Sequence, residues 1–187
     1  GMEIEYHGDG TASIHMPSYI QEAIDESGLK INTNSPSPCS GTLLKIDPDS
    51  PVLERKRAQT FQSIVAKLIY VGTRARTDIL LALGFLCSRV SAPTEQDEKK
   101  LIRVLDYLRG TIDMPLRLGA DSLNRFMTWV DASFAVHHDM RSHTGEVISF
   151  GRGGIICKSK KQNMNTKSST EAELIWASDY LPHTVYV

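Results

Sequence analysis

The hydrophobic period of this chain changes from 3.6 to 2 close to Thr111, and no single-class fold accommodates both sides of that change. Ahead of the change three helices are expected. Phe61, Ile64, Val65, Leu68 and Ile69 recur at the spacing of one buried stripe, with Gly72 as the expected stop. Thr77 is placed to cap a second helix carrying Ile79, Leu80, Leu83, Leu86, Cys87 and Val90, which Pro93 breaks. The third opens on Thr94 and Asp97, a capping box with Asp in the Glu position. Glu95, Asp97 and Glu98 sit at the positive end of its dipole, Leu101, Val104, Leu105 and Leu108 form its stripe, and Gly110 closes it. Behind the change, 125–130, 145–150 and 155–159 read as an antiparallel meander, the last two strands joined by the glycine-rich stretch 151–154. A helix then begins near Ser168 and runs through Ala177, and Pro182 argues against its undistorted continuation. The expected class is α+β.

At the start of the chain, residues 3–7 and 11–16 flank Gly8-Asp9-Gly10, a turn cluster that predicts a hairpin. Pro17 and Ser18 open a short helix with Ile20, Ala23 and Ile24 on one face and Gly28 as its stop. Pro36, Pro38, Pro48 and Pro51 then make 32–52 a surface connector. The expected organisation is therefore 1–52 as hairpin, helix and connector, 53–115 as a three-helix unit, and 116–187 as the meander and its helix.

Composition removes several function classes. Hydrophobic residues at 41% and charged residues at 23% are ordinary for a globular chain. The longest apolar run, 79–87, falls far short of the roughly 20 residues of a spanning helix, so no membrane partner is expected. No basic region followed by an apolar core opens the chain, so a secretory signal is not expected and the location is expected to be intracellular. Cys39, Cys87 and Cys157 suit neither a disulfide framework nor a zinc ligand set. Net charge is −1, yet Arg152, Lys158, Lys160, Lys161 and Lys167 occupy 152–167 with no acid among them. Such a stretch either faces phosphates or keeps an edge strand from aggregating.

Two places could hold chemistry. Asp131 closes the apolar Trp129-Val130, where a carboxylate can ligate a metal or start a turn through Asx hydrogen bonds. Glu171 and Glu173 fall in the first turns of the last helix. Ser168 with Glu171 and Thr170 with Glu173 each satisfy a capping box, and residues two apart on a helix point about 200° from each other, so one can face Asp131 while the other caps or meets solvent. His137, His138 and His143 lie in a polar stretch and read as solvated loop residues rather than a metal site, since no partner completes one. Gly151, Gly153 and Gly154 stand between strands, whereas a phosphate-cradling loop opens a helix.

The motifs run in a fixed order: Phe61-Gln62-Ser63-Ile64-Val65, Leu68-Ile69-Tyr70, Thr73-Arg74, Asp78-Ile79, Ala92-Pro93-Thr94, Arg103 to Thr111, Val130-Asp131-Ala132-Ser133, Arg141-Ser142-His143-Thr144-Gly145, Ser159-Lys160-Lys161-Gln162 and Ser168-Ser169-Thr170-Glu171-Ala172-Glu173. This series resembles the copia-type LTR retrotransposon Pol polyprotein, from the end of its reverse transcriptase into its ribonuclease H domain, over nearly the whole chain. The resemblance implies that 1–52 is the end of the palm and a connector, 53–115 a thumb-like or connection-like unit gripping template-primer through Arg103 and Arg109, and 116–187 the first half of a ribonuclease H-like domain. It implies Asp131 and Glu173 as catalytic metal ligands, Glu171 being the alternate, and Lys158, Lys160, Lys161 and Lys167 as contacts to an RNA·DNA hybrid. Two Mg²⁺ about 4 Å apart are expected in the complete domain. The rest of the Pol polyprotein is the implied partner, in a cytoplasmic particle or the nucleus.

Departures from the family shape the expectation. No Tyr-x-Asp-Asp is present, so a complete polymerase site is excluded, and Thr77 stands where the family has Pro. The family's later acids have no counterpart up to Val187. The chain is therefore expected to hold Mg²⁺ weakly, to cleave RNA at no useful rate, and to leave a strand edge exposed. A non-catalytic nucleic-acid-binding remnant and a small interaction module that keeps only the helical unit are the alternatives.

Overall fold

The computed structural model describes residues 1–32 and 35–186, except for the side chains at 176, 180, 181 and 183–186. The architecture is α+β, with two antiparallel sheets, as expected. The chain divides into two compact units, one formed by Gly1–Glu5 and Ile14–Leu116, the other by Tyr6–Ser13 and the chain from Arg117 onward.

Strand β1 (Glu3–Tyr6) and strand β2 (Ala12–His15), each divided between the two units, lead into helix α1 (Pro17–Ser27) of the first unit, which Gly28 ends in the left-handed conformation at φ 60°. Helices α2 (Arg55–Arg74), α3 (Leu80–Arg89) and α4 (Glu95–Gly110) follow. Their stripes face one another: Phe61, Ile64, Val65 and Leu68 of α2 bury against Leu83 and Leu86 of α3, Leu101, Val104, Leu105 and Leu108 of α4, and Ile20 and Ile24 of α1. The capping box of α4 forms as expected. Asp97 is fully buried and accepts from the Thr94 N–H at 2.9 Å, while the Thr94 hydroxyl accepts from the Asp97 N–H at 3.4 Å.

Two helix boundaries differ from expectation. Gly72 does not end α2, which runs to Arg74. It lies where α2 approaches α3, and a Cβ there would meet the Leu83 Cδ1 at 2.8 Å. The glycine serves close packing rather than termination. Thr77 makes no side-chain cap. It opens a single 3₁₀ turn, Thr77–Ile79, and α3 starts after it.

The second unit holds strands β3 (Leu116–Ala120), β4 (Met127–Ser133), β5 (His143–Ser149), β6 (Gly151–Arg152) and β7 (Ile156–Lys161), then helix α5 (Ser169–Tyr186). The meander appears as the antiparallel order β4-β5-β7, in register Asp131↔Gly145↔Ser159. β3 lies outside the expected strands, and β6 falls within the expected connection 151–154. In the structure, β3 pairs antiparallel with β6 through Gly119↔Arg152 and Ala120↔Gly151. β3 shows only the short alternation Leu116-Arg117-Leu118 and the two-residue β6 shows none, so the pairing defines them. Arg117 on β3 also donates to Thr11 at 3.0 Å and to Asp9 at 2.9 Å. α5 continues past Pro182, which leaves the carbonyl of residue 178 without its usual helical donor.

Gly153 turns the chain between β6 and β7 at φ 69°, and a Cβ there would lie 2.3 Å from the Arg117 carbonyl oxygen. Gly153→Ala is expected to cost about 2 kcal/mol, because a left-handed conformation and a backbone clash must both be accommodated. A urea midpoint followed by tryptophan fluorescence checks this, since Trp129 and Trp176 both lie in the second unit. Among the described residues, no helix is long and apolar enough to cross a membrane.

Candidate metal and nucleic-acid site

Strand β4 runs two residues beyond Asp131, so this carboxylate stands within the strand rather than at its exit. Trp129, Asp131 and Ser133 share the exposed face, while Val130 and Ala132 alternate to the half-buried one. β4 is also the outer strand of its sheet. Residues from both its faces can therefore border one open cleft of about 310 Å³, lined by Val130, Asp131 and Ala132 from β4 and by Thr170, Glu173 and Leu174 from α5. Asp131 and Glu173 thus meet at the same cleft, and both are exposed.

Glu171 has a different task. Its carboxylate accepts from the Lys167 N–H at 2.6 Å, and its own N–H donates to the Ser168 hydroxyl at 3.2 Å. That reciprocal pair is a variant of the capping box at the start of α5, and Glu173 rather than Glu171 borders the cleft. Among the described residues, no group of three or more His, Cys, Asp and Glu could hold a metal ion.

The basic candidates divide by environment. In the first unit, Arg103 is half-buried on α4 and donates to the Ser37 hydroxyl at 3.3 Å, whereas Arg109 is exposed in the last turn. In the second unit, Lys158 lies 3.8 Å from the buried Glu146 carboxylate and Lys161 bonds to Asp139 at 2.6 Å. Lys160 and Lys167 are exposed. Lys158 and Lys160 occupy one face of β7, in register with Glu146 and Thr144, and Lys161 occupies the other.

The histidines correct the sequence reading. His138 is exposed, but His137 and His143 are buried and bonded to each other, Nε2 to Nδ1, at 3.0 Å. His143 Nε2 reaches the Ser159 hydroxyl at 2.7 Å. Burial, reinforced by the neighbouring His137, pushes His143 down from 6.5 to about 4. Burial also lowers His137, helped by Lys161 and His138 and opposed by Asp139. Both rings are neutral at pH 7 and tie the loop between β4 and β5 to the sheet. The expected strand began at Gly145 and left His143 outside it, so no local signal marked the pair.

The buried Gln162 also escaped notice as more than part of a motif. Its side-chain amide donates to the Thr144 hydroxyl and to the Ala172 carbonyl, each at 2.9 Å, and its backbone N–H donates to the Ser142 carbonyl at 2.9 Å.

The chain is 28% identical over 181 residues to a transposon Ty5-1 protein of Saccharomyces cerevisiae, an alignment covering 96% of this chain and 58% of that protein. It is 29% identical over 189 residues to an uncharacterized mitochondrial protein of Arabidopsis thaliana, covering 95% of this chain and 77% of that one. It is also 29% identical over 167 residues to the retrovirus-related Pol polyprotein from transposon TNT 1-94 of Nicotiana tabacum, covering 86% of this chain but 12% of the polyprotein. No protein-family profile matches the chain, and no solved structure matches it significantly.

Proposed function

Since the homologues of this chain are Pol polyproteins of Ty5, Ty1 and copia-like retrotransposons, at modest identity across most of its length, we propose that it corresponds to the reverse transcriptase–ribonuclease H junction of such a polyprotein. In this reading the second unit supplies the first two metal-binding carboxylates of a ribonuclease H-like centre, acting on an RNA·DNA hybrid alongside the rest of the polyprotein. The observation that supports it is the convergence of Asp131 and Glu173 on one open cleft, with Glu171 engaged in capping instead.

The donor set suits Mg²⁺. Two exposed carboxylates offer hard oxygen ligands, and Mg²⁺ commonly binds through one or two carboxylates while keeping several waters. When bound, the ion supplies positive charge that stabilises developing charge on phosphate oxygens. The chain's own part is to present Asp131 and Glu173 from β4 and α5, and to meet the nucleic-acid backbone with Lys160 and Lys167. With two carboxylates and no third ligand among the described residues, the chain is expected to bind the ion weakly and to cleave hybrid at no useful rate.

Titration of Mn²⁺, followed by its electron paramagnetic resonance signal, tests the site. Asp131→Asn and Glu173→Gln are each expected to weaken binding about tenfold or more, and Glu171→Gln by less than twofold. Equal effects at 171 and 173 would reject the assignment. Robust Mg²⁺-dependent cleavage abolished by Asp131→Asn would overturn the expectation of inactivity. The scarcity of ligands also favours a second reading, a nucleic-acid-binding remnant without catalysis. Hybrid binding that weakens steeply with salt and is indifferent to Asp131→Asn would support it.

A further inference from the structure

We infer that Gln162 is a positioning residue that holds the Glu173-bearing turn of α5 against the strand pair carrying Asp131. The inference rests on the reading of Asp131 and Glu173 as metal ligands, and it concerns what keeps them at one cleft.

Few of the described side chains at the start of α5 are buried. Among its described side chains, Ala172 is the one fully buried residue, and Leu174 is 65% exposed. The Ala172 methyl itself offers little apolar area. Gln162 adds a polar constraint. A carboxamide has two N–H donors, and here both are used across elements: one on Thr144 of β5, the other on the carbonyl of Ala172, immediately before Glu173. Thr144 pairs in register with Ala132, the residue after Asp131. A single side chain therefore bridges the strand pair of one carboxylate to the helical turn of the other.

Gln162 is itself immobilised. It is 4% exposed, its N–H is bonded to the Ser142 carbonyl, and the Ser142 hydroxyl lies 2.9 Å from that of Thr166, which tethers the segment running up to α5. Removing the amide leaves the Thr144 hydroxyl and the Ala172 carbonyl without this donor and releases the turn from the sheet. Leucine at 162 preserves most of the volume and deletes the donors, so it separates bridging from space filling. Thr144→Val removes the acceptor from the other side while Thr144→Ser keeps it.

The experiment is amide hydrogen exchange on the full chain, together with Mn²⁺ titration. In Gln162→Leu and Thr144→Val, exchange of amides 172–177 is expected to quicken at least tenfold. Amides of β4, β5 and the first unit are expected to change less than twofold, and Thr144→Ser should match the parent chain. Mn²⁺ affinity is expected to fall at least fivefold in the first two variants and to be retained in Thr144→Ser. Unchanged α5 exchange in both disrupting variants would overturn the inference. So would quickened exchange with parent-like Mn²⁺ affinity, because it would make the bridge merely structural. A parent chain that binds no Mn²⁺, with the exchange pattern as expected, would instead overturn the metal-site reading. The bridge would survive and its positioning role would be rejected. Should Gln162→Leu fail to fold, the Thr144 pair carries the same decision.

Discussion

Arg76→Ala is expected to destabilise the helical unit by about 3–5 kcal/mol, the range for removing one partner of a buried ion pair. Arg76 is 1% exposed although it carries a permanent charge. Its guanidinium donates to both oxygens of Asp78, at 3.1 and 2.8 Å, and to the Thr111 carbonyl and hydroxyl at 2.8 and 2.7 Å. It also lies 5.2 Å from the centre of the Tyr107 ring, whose hydroxyl donates to Asp78 at 2.7 Å. Burial pushes the Asp78 carboxyl up, but the bonds from Arg76 and Tyr107 outweigh it and hold the group below its usual range. Without the guanidinium, a half-buried carboxylate loses its counter-charge and the carbonyl at the end of α4 loses its donor. Arg76→Lys keeps the charge but not the fork, and is expected to recover less than half of the loss. Urea denaturation followed by circular dichroism at 222 nm measures both. A loss below about 1 kcal/mol in Arg76→Ala would show that the node contributes little.

The sheet unit is expected to lose about 2–3 kcal/mol of stability between pH 6.5 and pH 4. His143 binds its proton at about 4 in the folded chain and near 6.5 when unfolded. Between those values the unfolded state takes up more protons, so folding weakens as pH falls. The contribution is fully present above 6.5 and is lost on approach to 4. The full difference in proton affinity would correspond to about 3.4 kcal/mol, and residual solvent access reduces it. His137, Lys161, Asp139 and His138 share this environment. Asp139 is held below its ordinary value by the bonds from Lys161, which outweigh burial, so its own effect falls below the histidine window. Urea midpoints read from tryptophan fluorescence at pH 7.0 and 4.5 test this, with His143→Gln expected to flatten most of the difference. A pH-independent midpoint in the parent chain would refute the buried neutral pair.

What could be read without coordinates was what short stretches settle among themselves. The stripe Phe61, Ile64, Val65 and Leu68 announces α2 because a helix closes its own hydrogen bonds. Thr94 and Asp97 announce the start of α4 because a cap spans four residues. The meander was legible from alternation, and the carboxylates were legible as residue types capable of ligating a hard cation. Misreadings fell where a residue's meaning depends on something distant. Gly72 has the chemistry of a stop, and only the arrival of Leu83 makes it a packing position. β6 lacks a local signature and that of β3 is short, because a strand's hydrogen bonds belong to its partner. Arg76 finds Thr111, and His143 finds Ser159, across spans that no local pattern records.

The candidate site divides along the same line. Asp131, Glu171 and Glu173 were visible as candidates in the chain, and helical geometry said that only one of the two glutamates could face Asp131. Which of the two borders the cleft depends on where α5 begins and what holds it there. Ser168 and Lys167 engage Glu171, and Gln162 ties Ala172 to Thr144, which leaves Glu173 at the cleft. Periodicity and residue chemistry act over a turn or a strand and so are written locally. Which face meets which, and which buried polar group finds its partner, is decided by contacts between residues far apart in the chain, and those exist only once it has folded.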